Sequence, residues 1–282
     1  MVERVKHWIK LMIRPGYKAD YDKFIKSEQL ESIKKNELAR LEKWPRYTPT
    51  FTTLLGPTFK LVDAASFLFI YNEVFNNEIY KFETKSTCPY ILDCGANVGL
   101  SVLYFKKKYP DARIVAFEPD ENVADVLEHN ISSFGVKGIE VVRRGLWNEE
   151  TTLSFFKEGA DGGRIAQLAD NSQLVSIKTT RLKPYLTNAI VDFLKIDIEG
   201  AETIVLEDCA DALDNVKHIF IEYHSFEHQP QTIARVLEIV QNAGFRVHVT
   251  APGLSSPQPF IQRHTYVGMD MQLNIYGFRV ED

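Results

Sequence analysis

The sequence predicts an α/β fold built on a mostly parallel sheet. Three observations carry that expectation. From Pro89 onward, short apolar strands alternate with helical segments of about 10–15 residues, the pattern of βαβ units. The first of these strands runs straight into a glycine turn, Asp93-Cys94-Gly95-Ala96-Asn97-Val98-Gly99, that opens a helix. Two further strands end in carboxylates, at Glu118 and Asp197, where open α/β sheets place their ligands.

Taken in order, Val2, Val5, Trp8, Ile9, Met12 and Ile13 fall on one helical stripe. Arg4, Lys6, Lys10 and Arg14 lie largely off it, and Pro15-Gly16 ends the run. A second helix starts at Asp20, a favourable N-cap type, and runs to about residue 43. Its stripe is Tyr21, Phe24, Ile25, Leu30, Ile33, Leu38 and Leu41, and Pro45 and Pro49 stop it. Residues 59–62 read as a short strand, and 64–80 as a helical or irregular stretch rich in aromatics. Tyr71, Phe75 and Tyr80 in that stretch suit either a lid or the core. Residues 90–94 form a strand, 99–109 a helix closed by Pro110, and 113–118 a second strand. Residues 121–134 form a helix ended by Gly135, and 139–142 a third strand. Segments 147–156 and 174–180 read as a β-excursion around a flexible loop containing Asp161-Gly162-Gly163-Arg164. The alternation resumes with a strand at 191–197, a helix at 201–213 and a strand at 218–223. A helix at 232–243, stopped by Gly244, precedes a strand at 245–249, and 270–278 reads as an antiparallel edge strand.

Composition narrows the function classes. Of 282 residues, 45% are hydrophobic and 25% charged, which excludes disordered and collagen-like chains. The net charge of −5 hides an asymmetry: residues 1–48 hold 12 Lys+Arg against 7 Asp+Glu, and the rest holds 21 against 31. An acidic body argues against a nucleic-acid partner. The expected division is a basic helical extension at 1–48 and one domain at 49–282. Helix 2–14 suits docking on its own body, on a second copy, or on an anionic membrane surface. No apolar run is long enough to span a membrane. Cys88, Cys94 and Cys209 are too few for a disulfide framework, and the N-terminus lacks a secretory pattern. A reducing, cytoplasmic setting is expected.

The chemistry is read from four places. Gly95 permits a tight turn, and the helix behind it offers free amide donors to an anionic group. A dinucleotide site would read G-x-G-x-x-G, whereas the first position here is Asp93, which disfavours a pyrophosphate and favours a cationic ligand. Glu118, 25 residues later, suits the two hydroxyls of a ribose. Asp197 ends the fourth parallel strand, with Glu199-Gly200 as the turn and Glu202 in the first turn of the next helix. Glu222 and His224 share strand parity, and His224 suits a general base. Asp197, Glu199, Glu222 and His224 are alternatively a donor set for a divalent ion, but no compact ligand motif supports one, and no metal is expected.

Three stretches together carry a resemblance: Asp93-x-Gly95-Ala96-Asn97-x-Gly99, Ala116-Phe117-Glu118-Pro119, and Leu194-Lys195-Ile196-Asp197-Ile198-Glu199-Gly200-Ala201-Glu202. They resemble the FkbM family of S-adenosylmethionine-dependent methyltransferases over roughly residues 70–278. The resemblance implies a Rossmann-like class I methyltransferase fold, with a seven-stranded, mostly parallel sheet whose last strand is antiparallel. It implies S-adenosylmethionine as cofactor and methyl transfer to a hydroxyl of a sugar, polyketide-like or other small-molecule or glycan acceptor. Carried over by residue, Asp93, Gly95, Ala96, Asn97 and Gly99 would hold the methionine end and Glu118 the ribose. Leu146 and Trp147 would flank the adenine, and Asp197 would sit near the methyl, with Glu199 and His224 as candidate bases. Two other classes stay open: a binding protein that keeps the cofactor pocket without turnover, and a nicotinamide-dependent oxidoreductase, which Asp93 argues against. Acceptor specificity is expected in residues 50–88, the Asp161-Gly162-Gly163-Arg164 loop and residues 251–268.

Overall fold

The computed structural model describes residues 17–157, 163–165, 174–253, 256 and 258–279. The predicted helix 2–14 and most of the 157–171 loop lie outside the described residues. The chain forms a helix α1 (Tyr17–Glu42) and a two-stranded ribbon, β1 (Thr50–Thr52) with β2 (Phe59–Leu61). Helix α2 (Ala64–Tyr71) passes directly into a π-helix at Asn72–Asn76. The regular alternation follows: β3 (Tyr90–Cys94), α3 (Leu100–Lys108), β4 (Arg113–Phe117), α4 (Glu121–Phe134) and β5 (Ile139–Val142). A smaller sheet interrupts it, with β6 (Gly145–Leu146), β7 (Thr152–Lys157), β8 (Gly163–Ile165) and β9 (Leu174–Thr180) in the order β6-β9-β7-β8. Then come α5 (Lys183–Thr187), β10 (Val191–Ile196), α6 (Glu202–Cys209) and β11 (Val216–Phe226). Helix α7 (Ile233–Asn242), β12 (Arg246–Thr250) and β13 (Met269–Phe278) complete the chain.

The main sheet has seven strands in the order β12-β13-β11-β10-β3-β4-β5. Strands β11, β10, β3, β4 and β5 pair in parallel, and β13 is antiparallel to both neighbours. This is the Rossmann-like class I arrangement expected. One placement differs: β13 is not an edge strand but lies inside the sheet, and β12 holds the edge. Period-2 alternation is shared by any antiparallel strand, so it reports a strand and not its rank in the sheet.

Strand parity sorts the core onto two faces. Leu92, Val115, Leu194, Ile219 and Ile221 pack with residues of α6 and α7 on one face. Ile91, Ile114, Ala116, Phe193 and Phe220 pack with Val102, Tyr104 and Phe105 of α3 on the other. A third cluster joins Leu41, Phe59, Leu61 and Phe67 to Leu100, Leu103 and Val126. The α1 stripe is used unevenly: Leu41 is 1% exposed, while Leu30 and Ile33 are 57% and 61% exposed. Tyr71 and Phe75 stack at 5.4 Å within buried aromatic packing, so they belong to the core and not to a lid. Asn130, fully buried on α4, donates to the carbonyls of Lys60 and Val98, tying the ribbon to the glycine turn.

Candidate active site

The strand order reverses between the parallel neighbours β3 and β10, and their C-terminal ends form a crevice of the kind that binds ligands. The turn after β3 is held there by backbone. Gly95 and Ala96 both donate to the carbonyl of Phe117, and Asp197 donates to that of Cys94. Gly95 has φ +86°, and a Cβ on it would stand 1.8 Å from the Asp197 carbonyl oxygen, so only glycine fits. Asn97 is left-handed at φ +49°, a region its short amide tolerates, and its Oδ1 accepts from Val98 at 2.6 Å. Gly99 precedes α3 with φ +94°, and a Cβ there would meet Leu127 at 2.6 Å. Its smallness serves the packing of α3 on α4.

Glu118 is 8% exposed and holds two loops at once. One oxygen accepts from the Asn97 amide at 3.0 Å, the other from the Asp120 amide at 2.9 Å. Burial pushes its carboxyl up to about 7 against the opposing effect of those amides. Asp93 is fully buried. It accepts from the Ser101 hydroxyl at 2.5 Å, and its other oxygen lies 3.4 Å from Lys195 Nζ. Strand register explains the pairing, because Asp93 and Lys195 are direct neighbours on β3 and β10. Lys195 Nζ also reaches the Gly95 carbonyl at 2.7 Å and Asp197 at 3.1 Å. Burial raises the Asp93 carboxyl, with Lys195 and Ser101 pulling the other way.

The ends of β10 and β11 bring side chains together. Strand β11 runs past His224 to Phe226, so Glu222 and His224 share one face as their parity requires. His224 is 5% exposed. Its Nδ1 meets Glu202 Oε1 at 3.1 Å, and its Nε2 faces Glu222 at 3.5 Å and Glu199 at 3.8 Å. Burial alone would lower the imidazole pKa, but Glu199, Glu202 and Glu222 more than reverse this and raise it well above the usual value. Glu199 adopts a left-handed φ of +54°, followed by Gly200 at +99°. Glu202 anchors that strained turn, accepting from the Ile198 amide at 3.2 Å and the Gly200 amide at 3.0 Å. Gln272 on β13 donates to Glu222 Oε1. Burial raises the Glu199 carboxyl, with His224 opposing.

Both halves open on one cavity of about 680 Å³, within the range of small-molecule sites. Of the predicted residues, Gly95, Ala96, Asn97, Glu118, Leu146, Asp197, Glu199 and His224 line it. Three do not. Asp93 is turned inward onto Lys195, Gly99 packs against Leu127, and Trp147 is half-buried beside the cavity, its amide bonded to Thr180. Leu146 alone of its pair reaches the wall, with Gly145 and Ile177 beside it. Phe69, Ile70 and Glu73, from the stretch expected to set specificity, join the wall, as do Gly253 and Tyr266. Glu73 and Lys195 carry functional placements that sequence reasoning missed. Glu73 lies in the π-helix, and burial, with Glu222 and Asp197 nearby, pushes its carboxyl up to about 7. Its signal is a carboxylate inside an aromatic-rich run, which periodicity does not single out.

The model of the methyltransferase FkbM domain family matches residues 93–247, from the end of β3 into β12. The chain belongs to the FkbM methyltransferase family. It is 27% identical over 235 residues to Methyltransferase 1 of Beauveria bassiana (strain ARSEF 2860), covering 74% of this chain and 92% of that one. It is 32% identical over 174 residues to Methyltransferase sdnD of Sordaria araneosa, covering 49% and 67%. It is 25% identical over 228 residues to the 31-O-demethyl-FK506 methyltransferase FkbM of Streptomyces tacrolimicus, covering 68% and 86%. The chain is accordingly a methyltransferase, and the cofactor of this FkbM enzyme is S-adenosylmethionine. The site fits that group on two structural grounds. The Gly95 turn, pressed against the Asp197 carbonyl, brings backbone rather than a side chain to the cavity wall, and Glu118 presents a buried carboxylate with lone pairs to spare there. The wall is also rich in carboxylates, as a sulfonium and an ammonium require.

Proposed function

We propose that the methyl group goes to a hydroxyl oxygen of a small-molecule or glycan acceptor. The observation that carries this reading is the acid–imidazole cluster at the ends of β10 and β11, on the wall of the same cavity as the glycine turn. A hydroxyl must lose its proton as it is methylated, and a cluster of carboxylates around one imidazole gives that proton a destination. When bound, S-adenosylmethionine supplies an electrophilic methyl carbon, so the acceptor's C–O bond forms as the C–S bond breaks. The protein's part is to align the oxygen with that carbon and take the proton.

In this reading the Gly95–Asn97 turn holds the methionine end, Glu118 the ribose hydroxyls, and Leu146 one face of the adenine. Asp93 and Gly99 act indirectly, Asp93 by fixing Lys195 and Gly99 by seating α3. The acceptor enters beside Phe69, Ile70, Glu73 and Tyr266. The name of the Streptomyces relative specifies an oxygen acceptor, which supports the same class here. The test is S-adenosylhomocysteine formation across a panel of hydroxylated sugars and macrocycles, with amines of matched shape alongside. Turnover confined to hydroxylated acceptors is expected. Turnover on amines alone would overturn the reading, and tight cofactor binding with no turnover on either would favour a binding protein.

A further inference from the structure

We propose that Asp197, Glu199 and His224 form a binding site for a divalent cation of the Mn²⁺ type, set beside the cofactor turn. This departs from the sequence expectation of no metal. One ligating atom from each of the three lies within 4.8 Å of the others. An ion with bonds of about 2.1 Å spans about 4.2 Å between opposite ligands, so small side-chain rotations close the set. Two carboxylates and one imidazole suit a hard-to-borderline ion.

A second observation points the same way, and it concerns the imidazole. The His224 side chain is 2% exposed, and its Nε2 is aimed at the gap between Glu199 and Glu222. Its carboxylate neighbours there, Glu222 at 3.5 Å and Glu199 at 3.8 Å, hold it only loosely. Its Nδ1, in contrast, is held at 3.1 Å by Glu202, a side chain 1% exposed and itself fixed by two backbone amides. That is the arrangement of a metal-ligating histidine, in which a carboxylate grips one ring nitrogen and turns the other toward the carboxylates that would share the ion. Charge gives a third argument. Glu199, Glu202 and Glu222 crowd one imidazole, with Asp197 within 4.8 Å of it, and Lys195 is divided between Asp93 and Asp197. An ion there would offset the excess negative charge and leave positions open toward the cavity for an acceptor oxygen. Glu222, outside the three, remains on the wall to take a proton. The inference rests on the O-methyltransferase reading for its purpose, but not for its geometry.

The experiment is titration of the metal-free full chain with MnCl₂, followed by calorimetry and electron paramagnetic resonance, with and without S-adenosylhomocysteine. One ion per chain is expected, with nitrogen modulation from a coordinated imidazole in the spin-echo spectrum of the unmutated protein. Asp197→Asn, Glu199→Gln and His224→Gln should each weaken Mn²⁺ at least about tenfold, and Glu202→Gln by about 10–100-fold. No binding at millimolar Mn²⁺, or binding without the nitrogen signal, would overturn the proposal even if a variant fails to fold. Binding unchanged in folded variants would do the same. S-Adenosylhomocysteine binding, measured separately with the metal chelated, reports on the cofactor reading alone, so the two failures are distinguishable.

Discussion

The two halves of the cavity are built differently. At the ends of β3 and β4 the working surface is backbone: a glycine turn, a helix start, and Glu118 committed to two loop amides. At the ends of β10 and β11 it is side chain: Asp197, Glu199, Glu222 and His224, gathered from two strands and braced by Glu202 and Gln272. The first half is set by local conformation and tolerates little change of shape. The second is set by charge and tolerates little change of ionisation. Lys195 joins them, since its ammonium touches Asp93 and the Gly95 carbonyl on one side and Asp197 on the other.

That join gives the largest expected effect. Lys195→Met leaves Asp93 buried without its cation, and such a broken buried pair costs about 3–5 kcal/mol. Urea unfolding checks it, and a loss under 1 kcal/mol would mean that the two halves are not coupled through this residue. Gly95→Ala comes next. The added methyl collides with the Asp197 carbonyl, so S-adenosylhomocysteine affinity should fall about 100-fold or more in calorimetry, about 3 kcal/mol. Near-normal binding would contradict a turn shaped by backbone contact.

The pH dependence is smaller and tests Glu118. Its carboxyl is raised to about 7 by burial, so the folded chain holds that proton more tightly than the unfolded one. Stability from this group is therefore present at low pH and lost as pH rises from the ordinary carboxylate range through about 7. Cofactor binding should run the other way, because ribose hydroxyls need an ionised acceptor. Affinity should rise about tenfold from pH 6 to 8, and Glu118→Gln should flatten that slope while weakening binding at pH 8. A profile unchanged by the substitution would remove Glu118 from the ribose site. The smallest effect separates Leu146 from Trp147. Trp147→Phe, off the cavity wall, should alter S-adenosylhomocysteine affinity less than about threefold, whereas Leu146→Ala, on the wall, should alter it more. The reverse order would return the adenine contact to Trp147.

The same contrast governs what could be read in advance. The placement of the Gly95 turn and Glu118 on the cavity was legible because it depends on neighbours a few residues away or at the end of the adjacent strand. Asp93 was legible as part of a motif but misplaced. Its partner Lys195 is 102 positions on, and only the β3–β10 register makes them neighbours. Glu202 is the first-turn charge its sequence position suggests, and it also anchors both the Glu199-Gly200 turn and His224. Glu73 offered only a carboxylate inside an aromatic-rich run, which no periodic pattern singles out. Strand β13 was recognised as antiparallel but assigned to an edge, since nothing local encodes its place between β11 and β12.

The sequence by itself therefore determined the parallel α/β order, the turn at Gly95 and the strand ends that carry acid. Apolar period, glycine conformation and strand parity act over a few residues, and those terms are written in the chain directly. Tertiary structure alone decided which carboxylates face the cavity and which face inward, and that Asp93 and Asp197 share Lys195. Those choices follow from strand register and burial, where a one-residue difference reverses the face and a buried charge must find its partner wherever the fold brings one.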